Sequence, residues 1–128
     1  MVYIDKETNE LSYQIVGCAY NVHKELGVGL LESAYEACLC YELSRQNIHY
    51  EKQKPLPVIY KGMPLDCGYR IDVLVENKII VELKTVEKLL PIHTAQIMTY
   101  LRLSKLHLGL LINFYNANLQ NGIRRYVL

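Results

Sequence analysis

Apolar side chains recur every three or four residues in the first third of the chain. This spacing extends from Leu11 to Leu26 and predicts an amphipathic helix, because an α-helix repeats every 3.6 residues. Gly27 and Gly29 follow, and glycine permits the sharp turn that ends a helix. The same spacing returns from Leu30 to about Gln46 and predicts a second helix.

The middle of the chain changes to a pattern typical of β-strands. Two prolines fall within Lys52 to Tyr60, which predicts a strand at a sheet edge, because proline cannot donate a backbone hydrogen bond. A turn at residues 61–64 follows. The apolar segments Leu65 to Val75 and Lys78 to Thr85 then predict two adjacent strands.

The last third of the chain contains one further predicted helix and up to two strands. Pro91 can occupy the first position of a helix that extends to about Leu103. Leu108 to Phe114 predicts a buried strand, and Gly122 to Leu128 predicts a last one. The order α-α-β-β-β-α-β-(β) predicts an α/β (α+β) fold, in which helices flank a mixed β-sheet.

Length and composition narrow the class of protein. The 128 residues predict one domain, 1–128, large enough to bury a core. The 51% hydrophobic and 21% charged residues are typical of a folded chain, and the net charge of +1 gives no global attraction to nucleic acid or to a membrane. Since no secretory signal and no membrane-spanning run is recognisable, the expected location is the cytoplasm.

The four cysteines form no C-x-x-C pair. Free cysteine behaves as a small hydrophobic residue, so buried thiols are the favoured interpretation. An iron–sulfur cluster is the alternative, although the spacing suits it poorly. The cysteines are Cys18, Cys38, Cys40 and Cys67.

Two aliphatic rows predict how the central strands pair. Alternate side chains of a strand face opposite sides, so both rows share one face only if residue 73 lies opposite 81. The pairs 71–83 and 75–79 follow from the same register. The rows are Ile71, Val73 and Val75 in one strand and Ile79, Val81 and Leu83 in the other.

This register predicts two carboxylates next to each other on the opposite face. Asp72 lies opposite Glu82, and directly paired residues have β-carbons about 4.5–5.5 Å apart. Carboxylates this close repel each other unless a proton or a divalent cation lies between them. Divalent cations such as Mg²⁺ prefer carboxylate oxygens, and Lys84 lies two residues further along the same face. The pattern therefore predicts a polar site that suits a metal.

An ordinary solvated face is the alternative interpretation of these carboxylates. Each carboxylate could pair with a neighbouring base, such as Arg70 or Lys84. Leu74 and Ile80 flank the acidic pair on its own face, which indicates partial burial and a higher cost for unpaired charge. The residues alone leave both interpretations open.

Three motifs resemble the PD-(D/E)XK nuclease superfamily. Asp72 followed by Glu82-Leu-Lys84 is similar to its D…(D/E)-x-K signature, with Ile71 in place of the proline. The segment from Gly29 through Glu32 to Tyr35 resembles the G-x-x-E-x-x-Y motif of its GxxExxY family. Gln96 and Tyr100 resemble the Q-x-x-x-Y helix of its RecB-like branch. The resemblance implies a restriction-endonuclease-like core.

The resemblance also implies roles for individual residues. Asp72 and Glu82 would hold Mg²⁺ or Mn²⁺, with Glu32 as an additional ligand. Lys84 would orient or deprotonate the attacking water or stabilise charge on the phosphate. Gln96 would position the substrate or a metal ligand. These five residues are the predicted catalytic set.

Substrate contacts are the least specific part of this prediction. Tyr100, His93 and Arg70 are candidate substrate-binding residues, with packing the larger expected role of Tyr100. The resemblance implies nucleic acid as the partner, with DNA favoured over RNA, and the lack of a membrane-spanning run predicts no membrane partner. A homodimer is an expectation for a small core that contacts a duplex.

The sequence is compatible with three functions. The intact Asp72–Glu82–Lys84 triple favours a metal-dependent nuclease. The near-neutral charge and small size favour a non-catalytic module that binds nucleic acid or protein and retains the fold. A nuclease relative with an iron–sulfur cluster is the third. Metal binding would discriminate the first from the second, and a colourless protein would exclude the third.

Overall fold

The computed structural model describes residues 3–128, which contain three helices and seven strands. Met1 and Val2, part of the predicted domain 1–128, lie outside the described residues. The helices are α1 (Lys6–Leu26), α2 (Glu32–Arg45) and α3 (Pro91–Ser104). The strands are β1 (Tyr50–Pro55), β2 (Val58–Tyr60), β3 (Met63–Leu65), β4 (Arg70–Val75), β5 (Ile79–Lys84), β6 (Leu108–Asn113) and β7 (Ile123–Val127).

Five of the strands form one mixed sheet in the order β1-β4-β5-β6-β7, and β2 and β3 form a separate hairpin. Only the β5–β6 pair of this sheet is parallel. Buried residues of α1 and α2 cluster on one face of the sheet, and those of α3 cluster on the other. The predicted fold class, a mixed sheet flanked by helices, is therefore confirmed.

Helix α1 begins earlier than the predicted Leu11. The Asp5 carboxylate accepts a hydrogen bond of 2.7 Å from the backbone N–H of Thr8, which caps a helix that begins at Lys6. Gly27, with φ of 68°, ends the helix as predicted. None of the helices in residues 3–128 has the length and apolar character needed to cross a membrane.

The predicted strands before β4 are divided into shorter ones. Lys52 to Tyr60 forms β1 and β2, with a break after Pro55, since prolines at 55 and 57 remove two ladder donors. The segment from Leu65 to Val75 is interrupted by a loop in which the Asp66 carboxylate accepts a hydrogen bond from the Gly68 N–H. The expectation of buried thiols is wrong for Cys67, which is exposed in this loop, whereas Cys18 and Cys40 are buried.

The crossover from β5 through α3 to β6 places α3 against the sheet. Gly109 in β6 allows this approach, because a β-carbon there would lie 2.9 Å from the Cδ1 atom of Ile97 in α3. Ile97 and Leu101 are fully buried in the cluster on this side. The side chains of α3 that follow the same face are thereby brought beside β5.

Candidate active site

The central hairpin has the predicted register. Val73 pairs with Val81, Leu74 with Ile80 and Val75 with Ile79. Beyond these pairs, carboxylates accept hydrogen bonds from the backbone of the opposite strand. Asp72 Oδ2 accepts from the Leu83 N–H at 2.9 Å, and Glu82 Oε1 accepts from the Asp72 N–H at 3.2 Å. Asp72 and Glu82 therefore face each other where β4 and β5 begin to separate.

Ile71 does not continue the row of Val73, which corrects one part of the prediction. Val73 packs in the cluster with α1 and α2, whereas Ile71 packs in the cluster with α3. The β4–β5 pairing ends at Val73, and in β1 Gln53 has φ of 50° between the residues that pair with Ile71 and Val73. Regular alternation of side chains is lost where the strand is distorted.

Glu82 is nearly inaccessible to solvent. Its exposed fraction is 4%, and burial raises the pKa of its carboxyl from an ordinary value of 4.5 to about 9. Burial is the largest cause of this rise, and the charge of the neighbouring Asp72 carboxylate is the second, since two close negative charges repel. At neutral pH and without a cation, Glu82 therefore retains a proton that it can share with Asp72.

Lys84 supplies the positive charge of the site. It is half-buried at the end of β5, and its ammonium offsets part of the rise in the pKa of Glu82 and of Glu32. Within residues 3–128, Lys84 forms no ion pair of 4.0 Å or shorter. Its positive charge thus remains available to a bound anion near the carboxylates of Glu82 in β5 and Glu32 in α2.

Glu32 reaches the site from the first turn of α2. Burial is the largest cause of its raised pKa, and the charge of Asp72 is the second. A carboxylate in the first turn is also stabilised by the helix dipole. Because the charges of Asp72 and Lys84 both influence its pKa, Glu32 lies near these two residues.

The glycine and tyrosine of the G-x-x-E-x-x-Y segment are structural. Gly29 has φ of 101° in the turn between α1 and α2. Tyr35 is fully buried, stacks on Phe114 with centroids 4.5 Å apart, and donates a hydrogen bond of 2.5 Å to the Gly27 carbonyl. Tyr35 is therefore a packing residue. Its contacts fix the turn from which Glu32 projects.

Two polar residues near Asp72 were not predicted. The Gln53 Nε2 donates to both carboxylate oxygens of Glu36 at 3.1 Å and to Asp72 Oδ1 at 3.4 Å. Glu36 could have been found from the sequence, since it lies one helical turn after Glu32. Gln53 gives no such signal, because its position depends on the distorted pairing of β1.

Asn113 is a further residue that sequence reasoning missed. It is fully buried at the end of β6, where it pairs with Lys84. Its side chain accepts a hydrogen bond from the Val86 N–H at 3.1 Å and donates one to the Val86 carbonyl at 2.7 Å. These bonds hold the chain that leaves β5 directly after Lys84. A polar residue at the end of an apolar strand was the available signal.

Gln96 and Tyr100 lie on one face of α3, as their spacing predicts. The Gln96 Nε2 donates to the Tyr100 hydroxyl at 3.1 Å, and Tyr100 is 4% exposed. Burial raises the pKa of Tyr100, and the charges of Glu82 and Asp72 raise it further. The two α3 residues therefore border the carboxylate pair from the face opposite α1 and α2.

The other two predicted substrate contacts make local hydrogen bonds. His93 Nδ1 accepts from the Leu90 N–H at 3.0 Å and so completes the first turn of α3. The Arg70 Nη1 donates to the Tyr69 carbonyl at 2.8 Å and lies 3.5 Å from the Asp66 carboxylate. Both residues are half-buried, and their roles stay predictions.

The residues present fit a magnesium-type ion held by two carboxylates. No group of three His, Cys, Asp or Glu side chains within residues 3–128 is close enough to hold a metal. This finding gives no support to an iron–sulfur cluster, and the role of Glu32 as an additional ligand stays a prediction. Mg²⁺ usually keeps several waters and takes one or two protein carboxylates, so Asp72 and Glu82 are a sufficient donor set.

Comparison with known proteins identifies the family. A family model of the PD-(D/E)XK nuclease superfamily matches residues 9–126. Comparisons with curated proteins and with solved structures give no match. The matched range includes both strands that carry the carboxylates and the helices on either side. Because the match extends over nearly the whole sequence, the chain belongs to the PD-(D/E)XK nuclease superfamily.

Proposed function

We propose that this protein hydrolyses phosphodiester bonds of nucleic acid with Mg²⁺ or Mn²⁺ held by Asp72 and Glu82. The observation that carries the proposal is the buried Glu82 carboxyl, which faces Asp72 across the separating ends of β4 and β5. A buried carboxyl next to a second carboxylate costs stability unless it has a partner. A divalent cation between the two carboxylates supplies that partner and explains the arrangement.

Each side chain of the site has a distinct task in this proposal. When bound, Mg²⁺ or Mn²⁺ would polarise the phosphoryl oxygen and lower the pKa of water for in-line attack. Asp72 and Glu82 fix its position relative to the sheet. Lys84 stabilises negative charge that develops on the phosphate, and Glu32 accepts a hydrogen bond or a proton from the attacking water.

Finer assignments rest on the motifs. The segment from Gly29 to Tyr35 supports membership in the GxxExxY family, and Gln96 with Tyr100 supports the RecB-like branch. Gln96 borders the carboxylates and is proposed to position the substrate. DNA is the proposed substrate, the cytoplasm the proposed location, and a homodimer remains an expectation from the small size of the domain.

Cleavage of labelled DNA and RNA, single- and double-stranded, in Mg²⁺ or Mn²⁺ tests the proposal. We expect cleavage that EDTA abolishes and that Lys84→Ala reduces at least about 100-fold, the usual loss when one electrostatic donor is removed. Lys88→Ala is the matched control, because Lys88 is an exposed lysine in the loop after β5. It should cleave at the wild-type rate.

The same assay separates the competing functions. Equal activity of wild type and Lys84→Ala would mean that the site is wrong or that a contaminant cuts the substrate. Binding of nucleic acid without cleavage in any metal would favour the non-catalytic module that retains the nuclease fold.

A further inference from the structure

An apolar groove lies directly beside the candidate active site. It has a volume of about 460 Å³ and extends along one face of α3, from Ile92 to Leu103. Val58 of β2 and Tyr69, which precedes β4, line it from the other side. None of the side chains that line it is charged. We call this feature the α3 groove.

The α3 groove is continuous with the site. Gln96 and Tyr100, which border the carboxylate pair, also line the groove. Tyr69 packs edge-on against Tyr100, with ring centroids 6.0 Å apart and an interplanar angle of 68°. If a phosphate of a nucleic-acid strand lies at Asp72 and Glu82, the neighbouring nucleotide of that strand therefore lies at the mouth of the groove.

The lining of the groove suits the faces of bases rather than a phosphate backbone. Ile92 is 67% exposed and Tyr69 is 45% exposed, so apolar surface faces solvent beside a polar centre. The outside of a duplex offers phosphates and sugars, whereas an unpaired base offers an apolar face that stacks on aromatic rings. Paired bases remain inside the duplex and cannot enter such a groove.

Polar groups at the border of the groove match the remaining parts of a nucleotide. Arg70 donates a hydrogen bond to the Tyr69 carbonyl, and Arg102 donates to the Thr99 hydroxyl at 3.1 Å. Both cations are thus fixed next to lining residues, where phosphates on either side of a base would lie. The side-chain oxygen of Gln96, Oε1, accepts no hydrogen bond within residues 3–128 and can accept one from a base edge.

We propose that the α3 groove binds an unpaired nucleobase of the substrate strand, stacked on Tyr69, next to the phosphate that is cleaved. The inference rests on the proposed nuclease function for the position of that phosphate. It makes single-stranded or locally unpaired nucleic acid the preferred substrate class. A duplex would have to open at this point before it could occupy the groove.

Binding of two matched single-stranded probes tests the groove. One is a fluorescent 12-nucleotide oligothymidylate, and the other is an abasic oligomer of the same length and charge. Anisotropy is measured in Ca²⁺, and the probes are checked afterwards for cleavage. We expect wild type to bind the oligothymidylate at least about fivefold more tightly, since stacking of one base changes affinity by roughly 5- to 150-fold.

Substitutions then locate the preference in the groove. Tyr69→Leu removes the aromatic face and should reduce the preference below about threefold, whereas Tyr69→Phe should retain it. Ala95→Leu, which fills the groove from α3 with a good helix former, should also reduce it. Tyr60→Leu is the matched control, because Tyr60 is 59% exposed on the β2–β3 hairpin and does not line the groove.

The outcomes separate this inference from the nuclease proposal. Base-dependent binding that requires Tyr69, without cleavage in Mg²⁺, would support base binding in the groove and contradict the proposed nuclease activity. If duplex and abasic probes are cleaved in Mg²⁺ as fast as the oligothymidylate is, the nuclease proposal is supported and base binding in the groove is overturned. Equal binding of both probes, or no binding of either, would overturn the proposal that the groove binds a base.

Discussion

Glu82→Gln is expected to lower metal-dependent cleavage at least about 1000-fold, which corresponds to several kcal/mol of lost transition-state stabilisation. Glutamine keeps the size of the side chain and can still accept the hydrogen bond from the Asp72 N–H. It cannot carry the negative charge that holds a divalent cation. Asp72→Asn should cause a loss of the same order. Initial rates on a labelled strand in saturating Mn²⁺ measure both.

Glu87→Gln is the matched control for these two variants. Glu87 is an exposed carboxylate in the loop between β5 and α3, so the same chemical change there should leave the rate unaltered. Thermal unfolding of each variant in EDTA shows whether the fold is retained. Cleavage by Glu82→Gln within about tenfold of wild type would contradict the role assigned to the carboxylate.

The metal-free protein is expected to lose stability as the pH is raised. The folded protein keeps the Glu82 proton up to about pH 9, whereas the unfolded chain releases it near the ordinary pKa of 4.5. Between these values the folded state binds one proton more than the unfolded state, so a rise in pH favours unfolding. The slope approaches at most about 1.4 kcal/mol per pH unit, the limit for one group.

Glu82→Gln isolates this contribution from the other titrating groups. The variant resembles the protonated form at every pH, so the slope between pH 5 and pH 9 should become flatter. At pH 8 in EDTA it should be more stable than wild type by at least about 2 kcal/mol. Urea unfolding at a series of pH values measures the difference. If the free energy of unfolding of wild type and variant changed in parallel with pH, Glu82 would ionise at its ordinary pKa.

Added metal should counteract the loss of stability at high pH in the wild type but not in Glu82→Gln. A cation binds the deprotonated carboxylate, so it stabilises the folded state more at pH 8 than at pH 6. In Glu82→Gln, added Mn²⁺ should change the unfolding midpoint little at either pH. This contrast connects the stability measurement to the proposed metal site.

The sequence predicted the parts of the site that depend on short-range periodicity. The aliphatic rows around Val73 and Val81 specify the hairpin register, because a shift of one residue would scatter the rows across both faces of the sheet. That register alone brings Asp72 opposite Glu82. The spacing of Gln96 and Tyr100 likewise places both on one helical face.

Features that depend on the packing of distant segments were not predictable in this way. Gln53 reaches Asp72 only because β1 is distorted where it pairs with β4. The same distortion moves Ile71 to the α3 side of the sheet. The α3 groove requires Tyr69 to pack against Tyr100, and no periodic pattern connects a loop residue to a helix formed later in the chain.

Calorimetric titration of Mn²⁺ into the wild type and into Asp72→Asn tests the central claim most directly. At neutral pH, we predict binding of Mn²⁺ to the wild type with release of about one proton, detected as a heat that depends on the buffer, because Glu82 must deprotonate to bind. Asp72→Asn should bind at least about tenfold more weakly. Equal binding by both proteins, or no binding by the wild type, would contradict a metal site formed by Asp72 and Glu82.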